Sequence, residues 1–180
     1  MRITRFFAGG IVGAALAVAL SGCAGGTPPL TVYGGLVDRC VENRTTTEGP
    51  MALLGTTVVN ETPRTVILRD ARPLDLVNAS VDDISVVPLP SPESGFGVAP
   101  GGTMTPEQLV LWRDRGPLYG ATIGPYGAVS IVVHLRADDF REYAGLGGLR
   151  LKYDDGWFSA TSVGGGDTGF VPPWSHCGNR

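Results

Sequence analysis

The side chains of this 180-residue chain that could do chemistry are few and far apart. There are two histidines. His134 lies in the run Val129-Ser130-Ile131-Val132-Val133-His134-Leu135-Arg136, and His176 stands beside Cys177. Neither belongs to a His-x-x-x-His or Cys-x-x-Cys spacing, so neither points to a zinc or copper site. The alternation around His134 predicts an exposed or edge-packed strand residue rather than a catalytic base. Carboxylate pairs occur at Asp82-Asp83, Asp138-Asp139 and Asp154-Asp155. Two carboxylates can act as acid and base, but neighbours on a strand point to opposite faces. At strand ends and turns Asp is favoured because it bonds its own backbone. A calcium site near Asp138-Asp139 or Asp167 would lack a regular ligand loop. No Gly-x-Ser-x-Gly elbow is present, and Gly164-Gly165-Gly166-Asp167 lacks the lysine of a phosphate loop. The expectation is a protein that is not an enzyme and holds no cofactor or metal.

The N-terminus carries a different kind of chemistry. Arg2 and Arg5 precede Phe6 to Leu20, a 15-residue apolar stretch. A spanning helix needs about 20 such residues, so the length fits a signal-peptide core. Ser21-Gly22 supply small residues ahead of a cut. The run Leu20-Ser21-Gly22-Cys23 resembles the lipobox of bacterial lipoproteins. That resemblance covers residues 1–23. It implies that residues 1–22 are removed and that Cys23 becomes the first residue of the mature protein, joined by a thioether to diacylglycerol. Each buried methylene of such an anchor contributes roughly 0.8 kcal/mol, which holds a two- or three-chain lipoprotein on the extracytoplasmic face of the cell membrane. Residues 23–35 then read as a lipidated flexible tether, because Ala24 to Gly35 offers neither helical period nor strand alternation. Residues 36–180 are left for one folded domain.

Loss of residues 1–22 leaves 12 basic and 17 acidic side chains, a net charge of −5. Nucleic-acid surfaces are usually basic, so no nucleic-acid partner is expected. With Cys23 assigned to lipid, Cys40 and Cys177 remain. In an oxidising compartment two leftover cysteines most simply form one disulfide, and here it would close a loop of 138 residues. Loop entropy puts the contribution of such a bridge at no more than about 5 kcal/mol.

The elements that must position these residues are mostly strands. Val129, Ile131, Val133 and Leu135 share one face of a strand. Leu149 to Tyr153 and Trp157 to Thr161 flank Asp154-Asp155-Gly156, which predicts a hairpin with Gly156 left-handed and Tyr153 opposite Trp157. Leu53 to Val59 and Thr65 to Ala71 form a second turn-joined pair around Asn60-Glu61-Thr62-Pro63-Arg64, while Ile84 to Val87 and Leu118 to Ile123 add two more strands. One helix start stands out, where Thr105-Pro106-Glu107-Gln108 offers a cap, a proline at the first position and a capping-box glutamine. Pro88 to Thr103, rich in Pro, Gly and Ser, is a long excursion between strands. That loop and the helix, with Phe96 and Trp112, are the expected partner surface. About seven short strands favour an all-β, immunoglobulin-like antiparallel sandwich.

The patterning also resembles small immunoglobulin-like domains of actinobacterial lipoproteins, although the inter-sheet Cys–Trp–Cys spacing of true immunoglobulin domains is absent. It implies a fold and a compartment, not an activity. The expected role is a non-catalytic interaction or accessory module of the cell envelope, bound to the membrane by its lipid and to an envelope protein partner. The alternative is a small-ligand or metal-binding protein serving a transporter.

Overall fold

The computed structural model describes residues 28–33, 39–43 and 49–179. Cys23, the signal segment and most of the tether lie outside the described residues. In chain order the strands are β1 (Leu30–Tyr33), β2 (Arg39–Glu42), β3 (Met51–Asn60), β4 (Val66–Leu74), β5 (Ala79–Leu89), β6 (Val98–Pro100), β7 (Gly116–Pro117), β8 (Thr122–Ile123), β9 (Ala128–Ala137), β10 (Ala144–Leu146), β11 (Gly148–Asp154), β12 (Ser159–Gly164) and β13 (Thr168–Val171). Among the described residues there is one α-helix, α1 (Pro106–Trp112).

Two antiparallel sheets carry the fold. The first runs β1-β3-β9-β5-β7, with β6 also paired to β3, and the second runs β12-β11-β4-β8. Taking β1, β3, β4, β5, β9, β11 and β12 as strands A to G, the orders are A-B-E-D and G-F-C, those of the immunoglobulin sandwich. The protein is an all-β sandwich, and the described residues form seven framework strands and six short additions. Val129, Ile131, Val133 and Leu135 do share the inner face of β9, each no more than 3 % exposed. They meet Leu68, Leu149, Leu151 and Tyr153 of the second sheet. The outer face of the first sheet is covered as well. There Leu53, Val87 and Val132 pack with Phe96 beneath α1. This second layer explains why Ala128 to Val133 is buried without interruption.

A third, small sheet, β10-β13-β2, brings the chain ends together, with β13 and β2 parallel. Cys40 and Cys177 join there as a disulfide, with Cα atoms 5.7 Å apart.

Several expectations are corrected. Leu30–Tyr33, assigned to the tether, is strand β1, because Leu30 is fully buried and the segment pairs with Thr57 to Asn60. The residues around Asn60 to Arg64 do not close a hairpin. β3 and β4 belong to different sheets, and this turn carries the chain across the sandwich. Leu118 to Ile123 is not one strand but follows β7 and ends in β8. The excursion from Pro88 to Thr103 contains the end of β5, a turn of 3-10 helix at Pro92–Ser94, and β6. The β11–β12 hairpin exists and Gly156 is left-handed at φ 88°, but its loop is longer than expected. Tyr153 lies opposite Ala160, and Trp157 stands in the loop at 74 % exposure.

Candidate functional site

The outer face of the first sheet gathers side chains from three distant segments. Thr105 caps α1 by accepting from Gln108 N, and the Gln108 side chain accepts in turn from Thr105 N, the expected capping box. Gln108 Nε2 also donates to the carbonyls of Phe96 and Val98, tying the helix to the strand beneath it. The helix thereby lays Trp112 over the sheet. Its indole lies 5.5 Å from the Phe96 ring on one side and 5.5 Å from the His134 ring on the other. The Arg115 guanidinium stacks 4.7 Å from the same indole.

His134 therefore sits on a central strand, half-covered by Trp112, and not at an edge. Its Nε2 lies 3.3 Å from Ser85 Oγ and 3.9 Å from Asp83 Oδ2, while Ser85 Oγ lies 3.3 Å from the same Asp83 oxygen. Burial holds the imidazole below its ordinary range. Asp83 and Asp82 oppose that shift, and Arg115 adds to it. Serine, histidine and aspartate are all present, yet the arrangement differs from a nucleophilic triad. There the carboxylate holds the ring nitrogen opposite the serine, whereas here hydroxyl and carboxylate share one nitrogen. The contacts fit a relay in which neutral His134 donates to Ser85 and Ser85 donates to Asp83.

The residues expected to face a partner divide. Phe96 is 2 % exposed and belongs to the core, so it presents no surface. Trp112 is only partly open. On α1 it is Leu109 and Val110, 50 % and 60 % exposed, that turn outward. The carboxylate pairs are occupied locally. Asp82 binds Arg136, Asp139 binds Arg141, and Asp154 binds Arg69. His176 Nδ1 lies 3.3 Å from Glu42 Oε1, beside the disulfide. No cluster of three or more metal-ligating side chains occurs among the described residues.

On the same face of the first sheet, toward β1, lies a cleft of ≈ 750 Å³. Tyr33, Thr57, Glu61, Glu93, Gly95 and Tyr126 line it. Tyr33 Oη donates to Glu61 Oε1 across 3.1 Å. The cleft presents two carboxylates and two phenol rings.

A further set of residues is brought together at one pole of the sandwich. Tyr126, Trp157 and Phe158 stand 66 %, 74 % and 72 % exposed. Their loops are braced. The Asp155 carboxylate accepts from Trp157 N and Phe158 N at 3.0 Å and from Arg64 at 2.8 Å. These backbone donors, more than Arg64, hold the Asp155 carboxyl below the usual carboxylate range. Tyr126 N donates to Thr62 O, which ties the turn before β9 to the turn after β3. Trp157 was expected to face Tyr153. The sequence signal that would have freed it is Asp155 itself, a residue that commonly caps the backbone of its own loop.

The chain matches no known protein-family model and no curated protein. No helix of the described residues is long and apolar enough to cross a membrane.

Proposed function

We propose that this protein is a lipid-anchored extracytoplasmic lipoprotein whose sandwich serves as a non-catalytic interaction or accessory module of the cell envelope. The run Leu20-Ser21-Gly22-Cys23 behind Arg2, Arg5 and a 15-residue apolar stretch carries the proposal. The sandwich adds support of a different kind. Its serine hydroxyl and aspartate carboxylate share one nitrogen of His134, and Trp112 packs against that ring, which speaks for a structural role of the cluster. The disulfide between Cys40 and Cys177 suits an oxidising compartment. Changing Cys23 to Ala tests the anchor. The variant is expected to leave the membrane fraction of cells, and undiminished retention overturns the proposal. In-cell cross-linking of the tagged protein tests the module, which should capture one dominant envelope protein.

A second reading has one observation in its favour. The ≈ 750 Å³ cleft is the size of a small-ligand site, and its two carboxylates and two tyrosines suit a cationic or hydroxyl-rich ligand. A melting-temperature shift across a metabolite panel, lost in Tyr126→Ala, would favour that reading over the interaction module.

A further inference from the structure

The tether and the exposed aromatic residues meet at the same pole. Glu61 N donates to Pro29 O at 2.9 Å, and Leu30 pairs with Asn60, so the chain enters the sandwich beside the turn after β3. That turn is bonded to the Tyr126 turn through Thr62 O, and to the Trp157-Phe158 loop through Arg64 and Asp155. Pro29 follows Cys23 by six positions. Fully extended, those six steps reach about 20 Å. A lipid on Cys23 would therefore keep this pole within about 20 Å of the bilayer surface.

The side chains displayed there suit that neighbour. Trp and Tyr favour the membrane–water interface, where an apolar ring and a polar tip are both accommodated. Arg64 and Arg69 are paired with Asp155 and Asp154, so the pole offers apolar rings rather than a basic patch for anionic lipid. Asp155 holds Trp157 and Phe158 in a fixed turn, which lowers the entropy lost on insertion. We propose that Tyr126, Trp157 and Phe158 form a membrane-docking tip that seats the domain on the lipid interface beside its own anchor. The inference rests on the lipid-anchor reading of Cys23. The opposite pole, with Trp174 and the disulfide, would point away from the membrane.

Tryptophan quenching distinguishes the two ideas. The full lipidated protein is reconstituted into phosphatidylcholine vesicles carrying a nitroxide quencher near the headgroup. It should float with the vesicles, and its fluorescence should be quenched. Trp157→Phe should lose most of that quenching, whereas Trp174→Phe should keep it, and both should melt like the parent because both rings are exposed. Failure to float overturns the anchor and the tip together. Flotation with equal quenching in both variants, or with none in the parent, overturns the tip alone. So does a cross-link from residues 155–158 to a protein in place of lipid quenching. Replacing part of the phosphatidylcholine with anionic lipid should leave the Trp157 signal unchanged, and a strict anionic requirement would contradict insertion by neutral rings.

Discussion

Asn60 holds the sandwich together at a single residue. It is fully buried, and its amide donates to the carbonyls of Arg64 at 2.6 Å, Gly124 at 2.8 Å and Ile123 at 3.2 Å. Its Oδ1 accepts from Thr62 N and Oγ1. The turn between the sheets and the strand before β9 are thus closed by one side chain. Asn60→Ala strands those carbonyls and should cost about 2–3 kcal/mol in urea unfolding. Asn60→Asp should cost more, because it points a carboxylate at carbonyl oxygens. A loss below about 0.5 kcal/mol for Asn60→Ala would mean that solvent replaces the amide. His134 makes a prediction about pH. Its folded pKa is depressed, chiefly by burial. Above its ordinary value of about 6.5 the ring is neutral in both folded and unfolded chains and contributes nothing. As pH falls below that value the unfolded chain takes up the proton first, so stability declines toward the folded pKa. Melting temperature should therefore drop between pH 7 and pH 5, and His134→Gln should flatten that part of the profile. An unchanged slope in the variant would assign the drop to other groups. The alternation of β9 correctly puts His134 on the face of Ser130 and Arg136. Its cover by Trp112 was not readable, because Trp112 comes from 22 positions earlier on a separate helix.

At the scale of elements, the second core depends on how closely the segment before β6 can lie against β3. Gly55 N donates to Gly97 O at 2.7 Å. A Cβ at Gly55 would stand 2.8 Å from Phe96 Cβ, 2.8 Å from Ser130 Oγ and 2.9 Å from Gly97 O. Two of those neighbours are backbone or buried core and cannot swing away. Gly55→Ala should therefore destabilise by about 1–3 kcal/mol and loosen α1, read as a lower urea midpoint and a changed near-ultraviolet signal from Trp112. An unaltered midpoint would show that the β6 segment lifts off freely. The capping box at Thr105 and the left-handed Gly156 were legible because each depends on residues within four positions. The pairing of Tyr153 with Trp157 failed at the same scale. Asp155 takes two loop N–H groups, which lengthens the loop and shifts the register so that Ala160 takes the expected place of Trp157.

For the whole molecule, the disulfide ties β2 to the C-terminal segment across a sequence separation of 137. Opening it with reductant, or changing Cys40 and Cys177 to Ser, should lower unfolding free energy by up to about 5 kcal/mol. Unfolding titrations with and without reductant would check this, and identical curves would mean that the small third sheet holds without it. The sandwich has two unlike poles. One is closed by the third sheet and the disulfide, and the other receives the chain at Pro29 and Leu30 and displays Tyr126, Trp157 and Phe158. The all-β class, the inner face of β9, the helix cap and the identity of the two bridging cysteines could be read from the chain itself, since period, cap and turn chemistry act between near neighbours and only two cysteines follow Cys23. Tertiary structure decided which strands became partners, that Phe96 lies inside while Leu109 and Val110 lie outside, and that Arg64 reaches Asp155 across 91 positions. Such contacts come from two sheets burying their apolar faces against each other, and a local pattern contains no record of which distant face that will be.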